Sequence, residues 1–589
     1  MDPTSRGVAY PGRAWWIFLA LVVVWNIPNL MPWEKDLYPD AYWMDMLERL
    51  LKCALLAAMF TALFARPWVA WLVSWLLGLW WLPISVAVRH VSDSQISATQ
   101  VGMAMASSAG EIRSLVLSAP VWIFGSLLAW NLACGAVFFW LRRQDTWRWG
   151  GIARGKIFVY SALLLLVPYL AAGEFSDVQG STEERVSLVS VDPFQEGDQS
   201  IGSDAELPRA FPYELPWALA QYWQARQVVN DAMARMREVP ETEALQVGST
   251  SPDLVVLVIG ESSTRSVWGL FNASEQATTP RLQARLDAGE HLLTLSNVVA
   301  QSTSTRQAVP SMLTPQPLLW PDGKPNPTAT RSIVAMATKA GYATAWFSNQ
   351  AAVGQFDGVI AAYSDEAQTR AFLNPASFSQ QGSYDDVLVS ALQRYLPGRS
   401  KALVVLHTMG SHFRFDHRYP PGFGPFPAPG NSSETYRNSV AYTDHVLDSI
   451  IATLEQDGRS AVMLFVSDHG QGLAEGECKR SDVNRLTAEA YEVPALVWLS
   501  TRYATQNPAV VERLRANEAA PYTTAAAYQT LRDLIAGDAL SSRNDSAATP
   551  ASFLRRPPAS TQQMVVAAGF RWVNFPDAAA RDRCLIKPQ

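Results

Sequence analysis

Cysteine is scarce in this sequence, with four residues among 589. Cys53 and Cys134 fall in long apolar runs, whereas Cys478 and Cys584 fall in the more polar C-terminal part. A disulfide can persist there if that part lies outside the cytoplasm; a single bridge and two unpaired thiols are both compatible with the sequence. No cysteine spacing is typical of a thiolate metal site, which excludes that class of metal centre.

Charge bias and repetition are lacking as well. The formal net charge of -6 is small for this length and says little about partners. The sequence contains no internal repeat and no nucleic-acid-binding signature, so no nucleic-acid partner is expected. Its length exceeds what one hydrophobic core accommodates, which predicts two or more domains.

Long apolar runs and tryptophan, by contrast, are abundant near the N-terminus. Most of the 22 tryptophans lie between Trp15 and Trp149, and aromatic residues are typical of membrane interfaces. Five apolar runs approach or reach the roughly 20 residues that cross a bilayer. They are 15–32, 50–65, 68–88, 120–141 and 157–172.

The second run is short and carries Lys52, but the basic residues of the loops favour counting it as a span. Arg6 and Arg13 precede the first run, Arg66 follows the second, and five basic residues in 142–156 follow the fourth. An even number of crossings between these groups places all of them in the cytoplasm, as the positive-inside rule requires. The sequence therefore predicts five spans, with the C-terminal part outside.

Three regions are expected along the chain: a transmembrane domain at 1–172, a linker region at 173–249 and a second domain at 250–589. No small-residue cleavage site follows the first run, so we expect a retained anchor rather than a removed signal peptide. From 173 to about 208 this linker region is acidic and poor in large apolar residues. Its segment 213–236 has apolar residues at near-helical spacing, and this helix either lies on the membrane surface or packs on the second domain.

Beyond Thr250, short β-branched runs alternate with helical stretches, a pattern typical of a mostly parallel sheet between helices. A carboxylate after a strand is, taken alone, more often a helix cap than a ligand. Sites in open α/β sheets nevertheless form beyond the carboxyl ends of the strands, so polar residues at several ends are expected to converge. Four runs end in this way: "LVVLVIG" before Glu261, "ATAWFSN" with Ser348 and Asn349, "LVVL" before His407, and "MLFV" before Ser467, Asp468 and His469.

A cluster of hydroxyl residues precedes an apparent helix in "QSTSTRQAVPSML", 301–313. The free N–H groups of a helix N-terminus can bind an anion such as phosphate. Ordinary capping by serine and threonine explains the cluster equally well.

The order of these segments resembles the membrane-anchored phosphoethanolamine transferases, in the sulfatase-like branch of the alkaline phosphatase superfamily. The resemblance covers about 252–499. It implies five transmembrane helices followed by a periplasmic α/β domain of alkaline phosphatase/sulfatase-like type, in a multi-pass protein of the bacterial inner membrane. It rests on six segments in register: "VLVIGESSTRSVWGLFNASEQATTPRL", "STSTRQAVPSML", "GYATAWFSNQ", "LHTMGSHFRFDHRYP", "YRNSVAYTDHVLDSII" and "FVSDHGQGLAEGE".

The resemblance implies a metal centre. Glu261, Asp468 and His469 are expected to hold one zinc ion, with Thr305 as the nucleophile bound to it, and a second metal is left open. Oxygen and nitrogen ligands suit zinc, and a threonine hydroxyl attacks poorly until a metal or base stabilises its alkoxide. The distance to Pro310 matches the family motif, but the sequence alone does not distinguish Thr305 from the hydroxyl residues before it.

Further residues follow from the same resemblance. His412, in "GSH", aligns with a family histidine near the leaving group and is expected to act as a proton donor. Asn349, His407 and Arg265 are tentative substrate-binding residues, although a buried structural role is the stronger alternative for His407.

The implied reaction moves phosphoethanolamine from phosphatidylethanolamine to an envelope acceptor such as lipid A, lipopolysaccharide core or a periplasmic glycan. A phosphoglycerol transferase is the main alternative. A sulfatase is disfavoured because the formylglycine motif is missing, and a non-catalytic scaffold because the four metal-site residues are present. The sequence departs from the family at three places. Gln301 and Ser311 stand where flanking cysteines are common, and Gln471 stands where the family has a glutamate. A histidine expected near Ser481 is absent.

The five-span topology predicts the outcome of reporter fusions. A reporter that is active only in the periplasm, such as alkaline phosphatase, should be active when it is fused after Gly173 and inactive when it is fused after Gly150. The two sites flank the last predicted span, so they should give opposite results. The reverse pattern would place the C-terminal domain in the cytoplasm.

Overall fold

A computed structural model describes residues 50–86 with short gaps, 121–144, 151–176, 214–241, 245–321, 324–350, 358–374, 382–427, 432–473, 486–537, 551–558, 561–567 and 571–586, together with Val24 and Val101. The chain forms two compact units, Met1–Trp223 and Gln224–Gln589.

The first unit is helical. Its helices include α1 (Pro67–Leu77), α2 (Val121–Arg143) and α3 (Gly151–Ser176), and α4 (Glu214–Glu238) begins within it. Among the described residues, Phe124–Arg143 is long and apolar enough to cross a membrane. Taken together, the segments Pro67–Leu77 and Leu79–Val86 are also long and apolar enough to cross a membrane, but a bend of 54° separates them.

The expected count of five spans is therefore not confirmed. Among the described residues there is one candidate span, or two if the bent pair is counted. Of the run 15–32, only Val24 belongs to the described residues, and the run 157–172 lies within α3. The multi-pass topology stays a prediction.

Polar side chains of α2 contact the bend between Pro67–Leu77 and Leu79–Val86. The helix stops at Gly78, and a break of this kind exposes backbone carbonyls. Trp130 Nε1 donates to Leu79 O at 2.6 Å, and Asn131 Nδ2 donates to Trp80 O at 2.9 Å. Satisfying these carbonyls within the protein allows irregular backbone in an apolar setting.

The second unit is built on a seven-stranded sheet. Six of its seven strands run parallel to one another, and β8 is antiparallel to both of its neighbours. The order across the sheet is β2-β8-β7-β1-β6-β4-β5, and β3 with β9 and β10 with β11 form two small sheets. The strands are β1 (Leu254–Gly260), β2 (Leu292–Leu295), β3 (Val298–Val299), β4 (Ala343–Ser348), β5 (Thr369–Phe372), β6 (Ala402–His407), β7 (Ala461–Ser467), β8 (Ala495–Leu499), β9 (Tyr522–Thr523), β10 (Met564–Ala567) and β11 (Arg571–Asn574).

Helices cover both faces of this sheet, which explains why its central strands are apolar throughout. Along β1, Val255, Leu257 and Ile259 enter one hydrophobic cluster, while Val256 and Val258 enter the other. The described helices of this unit after α4 are α5 (Pro280–Asp287), α6 (Thr305–Leu313), α7 (Ile333–Lys339), α8 (Gly358–Ser364), α9 (Asp386–Tyr395), α10 (Ser433–Asp457), α11 (Ala488–Tyr491), α12 (Thr501–Gln506), α13 (Pro508–Ala516), α14 (Ala526–Ala536) and α15 (Phe575–Arg581).

The prediction of a mostly parallel α/β sheet is confirmed. The four runs singled out in the sequence are β1, β4, β6 and β7, which are consecutive neighbours in the sheet. Ala232 and Met236, near the end of α4, are buried in the core of the second unit, which favours packing on that domain for this end of the helix. Cys584 is disulfide-bonded, whereas Cys478 lies outside the described residues.

Candidate active site

Three candidate ligands follow two adjacent strands. Glu261 comes directly after β1, and Asp468 and His469 come directly after β7. Because β1 and β7 are parallel and Gly260 is paired with Ser467, their next residues emerge side by side. Ligand atoms of the three residues all lie within 4.8 Å of one another.

Hydrogen bonds orient the ligands of this cluster. His469 Nδ1 donates to Gly470 O at 2.8 Å, which leaves Nε2 facing the carboxylates, 3.5 Å from Glu261 Oε1 and 3.6 Å from Asp468 Oδ2. Asp468 Oδ1 accepts from the backbone N of Ser262 at 3.1 Å. An imidazole fixed through one nitrogen presents the other to a metal.

The two carboxyl groups are buried beside each other, which disfavours their charged forms. Burial, together with the neighbouring Asp468 charge, raises the pKa of Glu261 to about 8. Burial also raises the pKa of Asp468, to about 7. A bound cation removes this penalty because it stabilises both charges.

The residues fit a metal ion. Asp468 is fully buried, yet its Oδ2 has no hydrogen-bond partner, and an uncompensated buried carboxylate oxygen is costly. This oxygen belongs to the same group as Glu261 and His469. Two carboxylates and an imidazole are ligands that zinc accepts, so the cluster could hold such an ion.

Thr305 lies against the same cluster. It is the first residue of α6, and its Oγ1 is 3.2 Å from both Glu261 Oε2 and His469 Nε2. The hydroxyl of Ser302 instead donates to Gln307 Oε1 at 2.6 Å. Of these two hydroxyls, the structure therefore brings that of Thr305 to the candidate ligands.

Gln350 is a neighbour of the cluster that the sequence did not single out. Its Nε2 donates to Glu261 Oε2 and to Thr408 O, both at 2.9 Å, and thereby fixes the carboxylate. Its signal in the sequence was its place directly after Asn349, beyond the end of β4. Ser262 is a second support: it holds a left-handed φ of 53°, which is uncommon for residues other than glycine, and its Oγ donates to Glu261 Oε1 at 2.5 Å.

The tentative substrate-binding residues have partners within the fold. Asn349 is buried and donates to Ser383 O and to Asp385 Oδ1. Arg265 donates to Val298 O at 3.2 Å. Their binding roles stay predictions.

His407 and His412 differ in their surroundings. His407 is buried beside β4, with Nδ1 3.2 Å from Ser348 Oγ, and burial lowers its pKa to about 3. His412 is partly exposed and follows Ser411, whose backbone N donates to Glu261 O at 2.9 Å. The chain therefore places His412 one residue from a contact with the candidate metal ligand.

The pattern of the Sulfatase family matches residues 253–534. The chain is 26% identical over 338 residues to a phosphoethanolamine transferase, EptC, of Escherichia coli, covering 54% of this chain and 57% of that protein. It is 28% identical over 273 residues to the Kdo(2)-lipid A phosphoethanolamine 7''-transferase of Escherichia coli, covering 43% of this chain and 46% of that protein.

A solved structure, the C-terminal periplasmic domain of EptC from Escherichia coli in complex with Zn, aligns with a TM-score of 0.49 and 21% identity. It covers 59% of this chain and 100% of that chain. The chain spans about half the length of the curated relatives described above.

Removing one anionic ligand should lower metal affinity. Asp468→Asn is expected to weaken zinc binding by roughly 100-fold or more, because loss of an outer-shell partner alone costs roughly 10- to 100-fold. Zinc content of the purified full-length protein, measured against a competing chelator, tests this. Asp444→Asn is a matched control, since Asp444 is equally buried but bonds the backbone of Arg281 and Leu282; it should keep its zinc. Full zinc content in Asp468→Asn would show that the metal is held elsewhere.

The metal-free protein is expected to lose stability as the pH rises. The pKa of Glu261 is raised from 4.5 to about 8 in the folded state, so the folded state binds more protons than the unfolded state between these values. Stability from this proton is present below that window and is lost as the pH rises through it. The thermal unfolding midpoint of chelator-treated protein should fall across the window, and Glu261→Gln should flatten the slope. An unchanged slope in Glu261→Gln would assign the effect to another group.

Proposed function

We propose that this chain, whose residues 253–534 match the Sulfatase family, is a metal-dependent phosphoethanolamine transferase. The donor is phosphatidylethanolamine, and the acceptor is an envelope glycolipid or glycan. The observation that supports this most directly is the position of Thr305 Oγ1, 3.2 Å from both Glu261 and His469. A threonine hydroxyl becomes a reactive nucleophile only when an adjacent base or a coordinated metal activates it.

Thr305 forms the covalent intermediate. Its Oγ1 attacks the phosphorus of the donor, so that an O–P bond forms while the P–O bond to diacylglycerol breaks. Zinc bound by Glu261, Asp468 and His469 would supply the positive charge that holds the hydroxyl in its alkoxide form. The acceptor hydroxyl then attacks the phosphothreonine, takes the phosphoethanolamine and restores Thr305.

His412 handles protons in both half-reactions. The departing diacylglycerol oxygen takes a proton from His412, and the acceptor hydroxyl gives one back when it attacks. Imidazole suits this exchange because its ordinary pKa lies near neutrality. His412 is partly exposed, which leaves its ring accessible to substrate.

A membrane setting fits this chemistry, since donor and lipid acceptor both reside in the bilayer. Phe124–Arg143 has the length and hydropathy to cross it. The names of the relatives, which include a Kdo(2)-lipid A phosphoethanolamine transferase, favour lipid A or lipopolysaccharide as the acceptor class. We infer an inner-membrane protein whose catalytic domain faces the periplasm.

The covalent step can be captured by withholding the acceptor. Purified full-length protein incubated with phosphatidylethanolamine should carry one phosphoethanolamine on the peptide 301–313, and tandem mass spectrometry should place it on Thr305. Thr305→Ala should abolish both the adduct and diacylglycerol release, whereas Thr305→Ser should retain part of each because it keeps the hydroxyl. Ser304→Ala is the control and should form the adduct normally.

Two results would contradict the proposal. Diacylglycerol release without any adduct would favour direct transfer to the acceptor or to water. An adduct formed from phosphatidylglycerol but not from phosphatidylethanolamine would assign a phosphoglycerol transferase instead. Mass spectrometry of envelope lipids and glycans from cells with and without the protein identifies the acceptor.

A further inference from the structure

The turn that carries His412 lies directly against the candidate metal ligand Glu261. After β6, Thr408 N donates to Ile259 O at 3.0 Å, and Ser411 N donates to Glu261 O at 2.9 Å. Gly410 adopts a φ of 50°, and a Cβ there would lie 2.6 Å from Glu261 O, so only glycine permits this approach. The backbone of the turn is therefore packed against the end of β1.

A buried carboxylate binds the amide groups of this turn. Asp385, just before α9, is 4% exposed. Its Oδ1 accepts from Met409 N and its Oδ2 from Gly410 N, both at 2.8 Å. Asn349 Nδ2 donates to the same Oδ1 at 2.8 Å. Burial raises the pKa of Asp385, while these bonds and the charge of Arg418 oppose that effect.

A buried guanidinium binds the carbonyl groups on the other side of the turn. Arg418 is also 4% exposed. Its Nε donates to His412 O at 3.1 Å, and its Nη2 donates to Phe413 O at 2.9 Å. Burial lowers the pKa of Arg418 to about 10, so it stays charged at neutral pH. The turn is thus held by an anion at its amides and a cation at its carbonyls, and charged groups make the stronger hydrogen bonds.

We propose that Asp385 is a positioning residue that, together with Arg418, fixes His412 where it exchanges protons with the leaving group and the acceptor. This inference rests on the role given to His412 in the proposed function. Asp385 bonds the backbone of the turn rather than the side chains of Glu261, Asp468 and His469, so it acts on proton transfer and not on metal binding. Asn349 Nδ2 donates to the same carboxylate and so supports the same turn.

The test is a double-mutant cycle with Asp385→Asn and His412→Ala, measured as diacylglycerol release from vesicles of phosphatidylethanolamine or phosphatidylglycerol, whichever the unmodified protein turns over. Asparagine places an N–H₂ group against one of the two backbone amides, which displaces the turn. Asp385→Asn should lower kcat by roughly 10- to 100-fold, in line with small displacements of catalytic groups, with little change in KM. In the His412→Ala background the same substitution should have almost no effect.

Two measurements do not depend on activity. The zinc dissociation constant of Asp385→Asn should stay within about threefold of the unmodified protein, since the side chains of the metal ligands are untouched. Hydrogen exchange in the peptide that contains Met409 and Gly410 should be faster. Asp444→Asn is the matched control because Asp444 also accepts from two consecutive backbone amides; it should keep kcat and the slow exchange of the turn.

Several outcomes would overturn the inference. These are additive losses in the cycle, weakened zinc binding with kcat restored by excess zinc, or an equal loss of kcat in Asp444→Asn. If Asp385→Asn does not fold, Asn349→Ala replaces it in the cycle. This variant keeps the carboxylate bonded to both amides, so it should lower kcat by less, and it should have no effect in the His412→Ala background. If neither lipid is turned over, the proposed function fails, and hydrogen exchange still decides whether Asp385 holds the turn.

Discussion

The burial of two carboxylates side by side, Glu261 and Asp468, is the constraint on which the candidate site depends. Each is at most 1% exposed, burial raises the pKa of both carboxyl groups, and the Asp468 charge contributes to the rise at Glu261. A fold accepts such a pair only if something balances the charge. The neighbouring imidazole of His469, the hydroxyl of Thr305 and the unpaired Asp468 Oδ2 surround a place where a metal ion could do so.

The sheet creates this constraint through its register. Because β1 and β7 are parallel neighbours with Gly260 opposite Ser467, a carboxylate after each strand must emerge beside the other. Both carboxyl groups are buried there, and the turn after β6 packs against the backbone of Glu261. The same packing that stabilises the domain therefore produces the electrostatic cost that a metal relieves.

The sequence predicted the fold and the ligands but not their supports. The strands were predicted because buried parallel strands are continuous apolar runs, whereas Glu261, Asp468 and His469 were named as candidate ligands because of the family resemblance. Gln350 and Asp385 act through contacts 89 and 24 residues away in the chain, and no local pattern reports such contacts. The bend at Gly78 was not predicted either, because the average hydropathy of an apolar run does not show where a helix is broken.

An unpaired buried atom does not by itself mark a functional site, as two such atoms in this domain show. Asp468 Oδ2 and His407 Nε2 both lack a hydrogen-bond partner. His407 is kept neutral by burial, and its ring packs edge-on against Trp346 at 6.0 Å, so the cost is that of one neutral ring nitrogen. Asp468 carries a carboxyl group beside a second carboxyl group, and ionising both is costly unless a bound cation offsets their charge. Charge, rather than the missing hydrogen bond, therefore distinguishes the candidate metal ligand from the buried histidine.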